Sequence, residues 1–292
     1  MALLGIGLRE LAIRGTLVAG SWLSESPKPT FLLDEQGQLL WATCLKVSKG
    51  DVLIGDGGYR GIVSRIEGQK AYLRSQGQVT SRNIAHAGAA RALPLGASSK
   101  LICLYSTHSD ESYVPSDGAS AIPGAGGIIK VASSFANALS SVGFLVRHDP
   151  TPHDPHDALA YSRSRRTASA LASLKPYAII DVHRDAAPAE AYYAVVRGVE
   201  VQQIMIVVGR ENPLNNANLL FATRLKEEAD RMYPGLIRGI FLAAGDYNQD
   251  LDPGAILLEV GTDTLPREHA ERAVGFMARV MASVLGAPGF TP

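Results

Sequence analysis

The sequence predicts an α/β protein in which a mainly parallel central sheet is flanked by helices and preceded by a small antiparallel β unit. From residue 98 onward, short apolar runs alternate with longer amphipathic segments, which is the pattern of strands alternating with helices. Between residues 30 and 97, apolar and polar residues alternate between glycine-bearing turns, which is typical of short antiparallel strands. We therefore expect a small β domain and linker over 30–97 and an α/β domain over 98–292.

The composition leaves the chain without a net positive charge that would attract polyanions. Lysine and arginine together number 28, as do aspartate and glutamate, so the formal net charge is zero. We therefore expect no nucleic-acid partner. Hydrophobic residues make up 46% of the 292 residues, which is enough for a sizeable core. Cys44 and Cys103 lie within apolar runs and are expected as buried thiols.

Residues 1–29 form an N-terminal segment that has two interpretations. Arg9, Glu10 and Arg14 interrupt its apolar residues, so it lacks the ~20 consecutive apolar residues of a transmembrane helix. It is either an amphipathic opening helix or the remnant of a signal anchor, so membrane association through the N-terminus stays open.

The β unit is expected to contain four or five short strands. A turn at 35–37 separates two apolar arms, and glycine-bearing turns at 55–58 and 67–69 separate the alternating stretches that follow. The segment 80–98, which contains glycine, proline and several alanines, is expected to be the linker to the second domain.

Within 98–292, the apolar runs and amphipathic segments predict the order of the elements. Strands are expected at 100–105, 144–146, 177–182, 191–196, 203–208 and 255–259, and helices at 128–143, 162–176, 214–232 and 266–285. The helix at 128–143, for example, places Ile129, Phe135 and Leu139 on one side. Right-handed crossovers between parallel strands would bring the carboxyl ends of the strands to one edge of the sheet.

Three of the expected strands lead into side chains of the kind that hold a metal ion or work beside one. His108 and Glu111 follow the first strand, His183 follows the strand at 177–182, and Glu259 ends the strand at 255–259. An α/β sheet binds ligands beyond the carboxyl ends of its strands. Two histidines and two carboxylates at that edge are the inventory of a hydrolytic zinc site.

Each of these side chains also has a structural interpretation. A lone histidine after a strand, such as His183, is more often structural than bound to a metal. Glu111 would complete a helix cap, with His108 as a solvated loop residue beside it. Glu259 would form a salt bridge to Arg267 or Arg272, since a buried and unpaired carboxylate is costly. The functional alternative for Glu259 is a general base beside a metal ion.

A second histidine cluster, HDPTPHDPHD at 148–157, is expected to be a solvated surface loop because its prolines hold it extended. His153 in this stretch is the substitute metal ligand if Glu111 does not complete the shell. The choice between Glu111 and His153 stays open on the sequence.

Several stretches of the chain carry a family resemblance. YSTHSDESY at 105–113, DVHRDA at 181–186 and YNQDL at 247–251 with ILLEVG at 256–261 follow one another in that order. They resemble the HTHTSESY, DLHRDA and YNQDL with LLLEVG motifs of the stage II sporulation protein P family. The stretches 207–225 and 49–68 resemble the family as well, so roughly residues 40–285 are covered.

The resemblance implies a core similar to that of the zinc-dependent N-acetylmuramoyl-L-alanine amidases, that is, an amidase-like fold. It implies that His108, Glu111 and His183 hold Zn²⁺ and that Glu259 is the catalytic acid and base. Arg184, directly after His183, is the candidate donor of a hydrogen bond to the oxyanion.

The activity that the resemblance implies is hydrolysis of the amide between N-acetylmuramic acid and the L-alanine of the stem peptide, in cell-wall remodelling such as sporulation. Cleavage within the stem peptide is a further activity associated with the family. Peptidoglycan is then the substrate, regulatory or scaffold proteins of the cell-wall machinery are candidate partners, and the location is extracytoplasmic. The alternative is a catalytically inactive relative that binds the cell wall or a partner protein.

Overall fold

The computed structural model describes residues 28–87, 100–157 and 159–287, and these contain the strands and helices of a mixed α/β fold. The strands are β1 (Thr30–Leu33), β2 (Leu39–Thr43), β3 (Val52–Ile54), β4 (Tyr59–Glu67), β5 (Lys70–Gln78), β6 (Leu101–Tyr105), β7 (Leu145–His148), β8 (Ala178–Asp185), β9 (Tyr193–Val196), β10 (Val199–Gln202), β11 (Ile204–Gly209), β12 (Ile237–Ala243) and β13 (Ala255–Thr262). The helices are α1 (Ser81–Ala87), α2 (Val114–Asp117), α3 (Gly127–Ser141), α4 (Ala160–Ala172), α5 (Asn215–Met232) and α6 (Arg267–Leu285).

One sheet of eleven strands runs through both the N-terminal β unit and the α/β part, in the order β2-β1-β5-β4-β3-β12-β11-β13-β8-β6-β7. The two parts are joined where β3 pairs antiparallel with β12. The first five strands therefore extend the sheet of the α/β part. The division of the chain into domains at 97 and 98 stays a prediction.

The expectation of a mainly parallel sheet is not confirmed, because the sheet is mixed. Strands β13, β8, β6 and β7 are parallel neighbours, but β11 runs antiparallel to β13. The hairpin of β9 and β10, which stands outside the main sheet, leads into β11 without a crossover helix after β8. A parallel neighbour normally needs such a crossover. The β unit departs from expectation as well, since β1 and β5 are parallel.

Helices cover both faces of the part of the sheet that contains β6, β8 and β13. One core packs α3, α5 and α6 against the sheet, and a smaller core packs α4 against the opposite side of β6 and β8. Every residue of β8 and β13 is buried as a result. Cys103 lies in the smaller core, as expected of a buried thiol, whereas Cys44 is only partly buried.

The two strands that carry His183 and Glu259 are longer than the apolar runs in the sequence predicted. β8 continues through His183 to Asp185, and β13 continues through Glu259 to Thr262. His183 therefore lies within a buried strand instead of following it, and Glu259 lies inside its strand instead of at the end. This rigid setting favours a site that is preorganised.

The expected N-terminal segment and linker lie largely outside the described residues, since 1–27 and 88–99 are not among them. The first part of the expected linker is helix α1, whose Ser81 donates hydrogen bonds to Glu227 of α5 from both its backbone and its hydroxyl. In the part of the chain that the structure describes, no helix has the length and hydropathy needed to cross a membrane.

Candidate metal centre

Three side chains meet where the loop after β6 reaches β8. His108 Nδ1 lies 3.3 Å from Glu111 Oε1, and His183 Nδ1 lies 3.4 Å from the same oxygen. One ligand atom from each residue lies within 4.8 Å of the others. His183 and Glu111 are buried, and the side chain of His108 is only 17% exposed. The structure thus brings together the three ligands that the resemblance implied.

The distances from Glu111 Oε1 to the two ring nitrogens are compatible with a shared metal ion. Charge-assisted hydrogen bonds between a ring nitrogen and a carboxylate are usually about 2.7–2.9 Å long. Two ligands at about 2.0–2.2 Å from a tetrahedral Zn²⁺ stand roughly 3.3–3.6 Å apart. The observed separations of 3.3 and 3.4 Å fall in that range. The donor set of two imidazoles and one carboxylate is also one that Zn²⁺ uses in catalytic sites.

Glu111 is oriented by the backbone of β8. Its Oε2 accepts a hydrogen bond of 2.8 Å from the backbone N–H of Arg184, which leaves Oε1 facing the two histidines. Burial alone would raise the pKa of Glu111, but His183, His108 and Arg184 hold that pKa well below its usual range. The carboxylate is therefore ionised and available as a ligand.

The carboxylate of Asp181 lies next to the ring nitrogen of His183 that faces away from Glu111. His183 Nε2 lies 3.0 Å from Asp181 Oδ1, although the two atoms are not aligned as a hydrogen bond. Asp181 in turn accepts hydrogen bonds from the backbone N–H and the hydroxyl of Thr107, at 2.8 and 2.6 Å. A carboxylate next to Nε2 favours the proton on that nitrogen, which frees Nδ1 for a metal ion.

The same surroundings show that the site favours positive charge. Burial alone would lower the pKa of His183, but Asp181 and Glu111 raise it well above its usual value. A divalent cation between His183 and Glu111 would supply the charge that these carboxylates favour.

Glu259 lies next to this cluster, on the strand beside β8. The register of the parallel pair places Glu259 opposite His183. Its Oε2 is buried and has no hydrogen-bond partner among the described residues. Burial raises the pKa of Glu259 well above its usual value, and Glu111 and Asp185 add to the effect while His183 opposes it. A raised pKa makes a carboxylate a stronger base than an exposed glutamate, which is the direction that suits a general base.

The two arginines considered as salt-bridge partners of Glu259 are engaged elsewhere. Arg267 pairs with Asp117 and Glu271, and Arg272 donates to the backbone carbonyl of Glu200. The structural interpretation of Glu259 as one half of a salt bridge to α6 is therefore wrong.

The guanidinium of Arg184 points into the loop that carries the candidate ligands. It donates hydrogen bonds to the backbone carbonyls of Ser112, Ser120 and Asp185. These bonds brace the segment that follows Glu111. Its role as an oxyanion donor stays a prediction.

His153 is buried apart from the three converging ligands. Its Nδ1 lies 2.9 Å from the backbone oxygen of Ser106, and its Nε2 lies 2.9 Å from the hydroxyl of Thr167. Both ring nitrogens thus have partners within the protein. Between the two candidates for the third ligand, the geometry favours Glu111.

Two further residues at the site, His156 and Tyr161, were not among the candidate site residues predicted from the sequence. His156 stacks on His108 with ring centroids 3.7 Å apart, and its Nδ1 lies 3.1 Å from Asp110 Oδ1. Tyr161 of α4 lies beside His108 and His183, with ring centroids 5.7 and 6.3 Å away. The repeated His-Asp pairs at 148–157 were a signal for His156, but nothing in the helical pattern of 162–176 indicated Tyr161.

The N-terminal β unit also reaches the end of β8, which the sequence did not indicate. Asp185 accepts hydrogen bonds from the hydroxyl of Thr43 at 2.6 Å and from the backbone N–H of Cys44 at 2.8 Å. It also accepts one from the hydroxyl of Tyr192, at 2.9 Å. This buried carboxylate ties the β unit to the strand that carries His183.

The fold and this site together define an α/β protein with a candidate metal centre of two histidines and a glutamate, flanked by a further buried glutamate. The family model of Stage II sporulation protein P (SpoIIP) matches residues 64–282. The chain therefore belongs to the stage II sporulation protein P family.

A relative in Bacillus subtilis (strain 168), Stage II sporulation protein P, is 30% identical over 204 residues. The match covers 63% of this chain and 51% of that protein, so the chain spans about half the length of the curated relative.

Two solved amidase structures are similar to the chain at low identity. The CwlD amidase from Clostridioides difficile in complex with the GerS lipoprotein is 12% identical, with 64% of this chain and 98% of that chain covered and a TM-score of 0.44. The N-acetylmuramoyl-L-alanine amidase from Clostridium difficile 630 is 13% identical, with 66% and 100% covered and a TM-score of 0.42.

Proposed function

We propose that the chain is a zinc-dependent peptidoglycan hydrolase that cleaves the amide between N-acetylmuramic acid and the L-alanine of the stem peptide. The observation that carries the proposal is the convergence of His108, Glu111 and His183 beside the buried, unpartnered carboxylate of Glu259. Membership of a family named for a stage of sporulation supports a role in cell-wall remodelling during that process.

The residues present fit zinc as the cofactor. His108, Glu111 and His183 would hold the ion, since imidazole and carboxylate groups in this number form a catalytic zinc site with an open position. When bound there, Zn²⁺ would supply Lewis acidity toward water and toward the amide carbonyl.

Glu259 would carry the proton during hydrolysis. A bond forms between the water oxygen and the amide carbon while Glu259 accepts a proton from the water. The carbon–nitrogen bond then breaks, and the same carboxyl group returns the proton to the departing amine of L-alanine. The raised pKa of Glu259 makes its carboxylate a stronger base than that of an exposed glutamate, which suits acceptance of a proton from water.

Arg184 would position the ligands in addition to any contact with substrate. Its backbone N–H holds Glu111, and its guanidinium bonds to carbonyls at the two ends of the segment from Ser112 to Ser120. Both contacts keep the loop after β6 against β8. The oxyanion role expected from the sequence requires the guanidinium to serve the substrate as well.

The remaining parts of the proposal rest on the family resemblance. They are cleavage of a bond within the stem peptide, an extracytoplasmic location with membrane association through the N-terminus, and interaction with regulatory or scaffold proteins of the cell-wall machinery. None requires a change to the site described above.

The test uses purified sacculi and the zinc-loaded protein. We expect release of stem peptides with a free N-terminal L-alanine, loss of that release with a chelator, and recovery on adding Zn²⁺. His108→Asn should abolish both zinc retention and release. His148→Asn, at the edge strand β7, is the matched control and should change neither.

A protein that retains no zinc and leaves sacculi intact would overturn the proposal. Pelleting with sacculi under those conditions would instead support the alternative, a catalytically inactive protein that binds the cell wall.

A further inference from the structure

Tyr161 occupies the first turn of α4, facing the candidate metal centre. Its ring lies edge-on to His108, with centroids 5.7 Å apart, and nearly parallel to His183, with an interplanar angle of 11°. Among the described residues, the ring of Tyr161 packs against the rings of both His108 and His183, whereas the ring of His156 packs against His108.

The surrounding protein fixes the position of this ring. Tyr247 packs edge-on against it, with centroids 5.3 Å apart, and the side-chain amide of Asn248 donates to the backbone oxygen of Tyr161. Tyr247 and Asn248 have φ values of 54° and 57°, a left-handed conformation that costs energy in residues with a side chain. The turn at 247–248 therefore has an unfavourable backbone conformation at the two residues that contact Tyr161.

The hydroxyl of Tyr161, by contrast, makes no hydrogen bond to the described residues, and it is not among the buried polar atoms without a partner. The tyrosine as a whole is partly exposed. The hydroxyl therefore keeps some exposure to solvent and, with no acceptor among the described residues, is available as a donor. A tyrosine hydroxyl has an ordinary pKa of about 10, so it carries its proton near neutral pH.

Several other donor groups near the site already have hydrogen-bond partners. The guanidinium of Arg184 bonds to three backbone carbonyls, and the backbone N–H of Arg184 bonds to Glu111. His156 is stacked on the ring of His108 and has Asp110 at its Nδ1. Amide hydrolysis gains most from a preorganised donor aimed at the oxygen on which charge develops.

We infer that Tyr161 is a catalytic residue whose hydroxyl donates a hydrogen bond to the carbonyl oxygen of the scissile amide as that oxygen becomes negatively charged. The inference rests on the proposed function and adds a residue to it. Glu259 moves the proton from water to the amine, and Tyr161 retains its own proton throughout. Arg184 is then a positioning residue that acts through Glu111 and the loop.

The test is Tyr161→Phe, which removes the hydroxyl and keeps the ring against both histidines. Loss of one oxyanion donor typically lowers kcat by about 10²–10³. We expect a loss of that size in stem-peptide release from soluble muropeptides, with KM changed less than about threefold and zinc content unchanged.

Binding of a tetrahedral phosphinate analogue provides a readout that does not depend on turnover. By calorimetry, Tyr161→Phe should weaken binding of the analogue by about the same factor as kcat, while binding of the released stem peptide stays the same. Tyr193→Phe is the matched control, because that hydroxyl bonds to Glu200 on the separate hairpin, and it should change neither quantity.

Three results would overturn the inference. One is an unchanged kcat in Tyr161→Phe, and another is a loss of zinc that accounts for the loss of activity. The third is a selective loss of kcat and analogue binding in His156→Asn with Tyr161→Phe unaffected. In each case an active wild-type protein leaves the proposed function standing, whereas an inactive wild-type protein would remove the proposed function and this inference together.

Discussion

Replacement of Glu259 by glutamine should have opposite effects on activity and on stability. The carboxylate lies on buried β13 opposite His183, its Oε2 has no hydrogen-bond partner among the described residues, and Glu111 and Asp185 add negative charge around it. A glutamine side chain has nearly the same shape but carries no charge. The substitution therefore separates the proton transfer from the packing.

The expected magnitudes follow from these contacts. General acid–base groups contribute about 10²–10⁴ to the rate, or about 3–5 kcal/mol of the activation free energy, so Glu259→Gln should lose activity by that factor. Relief of a buried, uncompensated carboxylate should raise the free energy of unfolding of the metal-free protein by about 1 kcal/mol or more. For a chain of this size that corresponds to a rise in Tm of about 2 °C or more.

The assay pairs stem-peptide release with thermal unfolding followed by circular dichroism, each measured with a chelator and with Zn²⁺. The gain in Tm should be smaller with zinc, because the charge of the ion compensates the wild-type carboxylate. Glu190→Gln, which removes an exposed carboxylate after β8, is the matched control and should change Tm and activity little.

Two outcomes would refute this reasoning. Full activity in Glu259→Gln would show that another group carries the proton. A lower Tm in the metal-free variant would show that the carboxylate has a stabilising partner, which would reinstate a structural role for Glu259.

The remaining predictions concern the support of the site and its pH dependence. Asp181→Asn should weaken zinc binding about 10–100-fold, measured by competition with a chelator, because Asp181 faces Nε2 of His183; unchanged affinity would contradict this. Asp185→Ala should lower the free energy of unfolding in urea by about 3 kcal/mol or more, since it leaves buried hydroxyl and amide donors without an acceptor. Burial raises the pKa of Asp252 from 3.8 to about 6, so the folded state binds more protons there than the unfolded state, and stability falls as pH rises from about 4 to 6. Asp252→Asn should remove this loss of up to about 3 kcal/mol, and parallel stability profiles of the variant and wild type would contradict it.

Local patterns were sufficient for most of the helices and for the strands that lead to the site. Burial on one side of a helix leaves a 3.6-residue period that can be read from the sequence, and α3, α5 and α6 lie where that period occurs. Strand β12 was missed because Arg238 interrupts its apolar run. The guanidinium of Arg238 lies over the rings of Trp41 and Tyr192, and a residue remote in sequence supplies each of these contacts.

The direction of the strands could not be read from the same patterns. A buried strand has the same apolar composition whether its neighbour is parallel or antiparallel. The antiparallel pairing of β11 with β13 depends on the small hairpin that precedes β11, and the pairing of β3 with β12 depends on how the N-terminal unit meets the sheet. These are properties of strand order, to which local composition is insensitive.

The sequence by itself determined the chemical inventory of the site: two histidines and two glutamates, each at or near the end of an apolar run. Only the tertiary structure decided which of them share one place. It placed Glu111 against His183 across 72 residues of chain, used both ring nitrogens of His153 elsewhere, turned Arg184 toward backbone carbonyls and brought Tyr161 beside both histidines. The reason is that a strand's sequence encodes its burial through local periodicity, whereas contacts between strands depend on their order and register in the folded sheet.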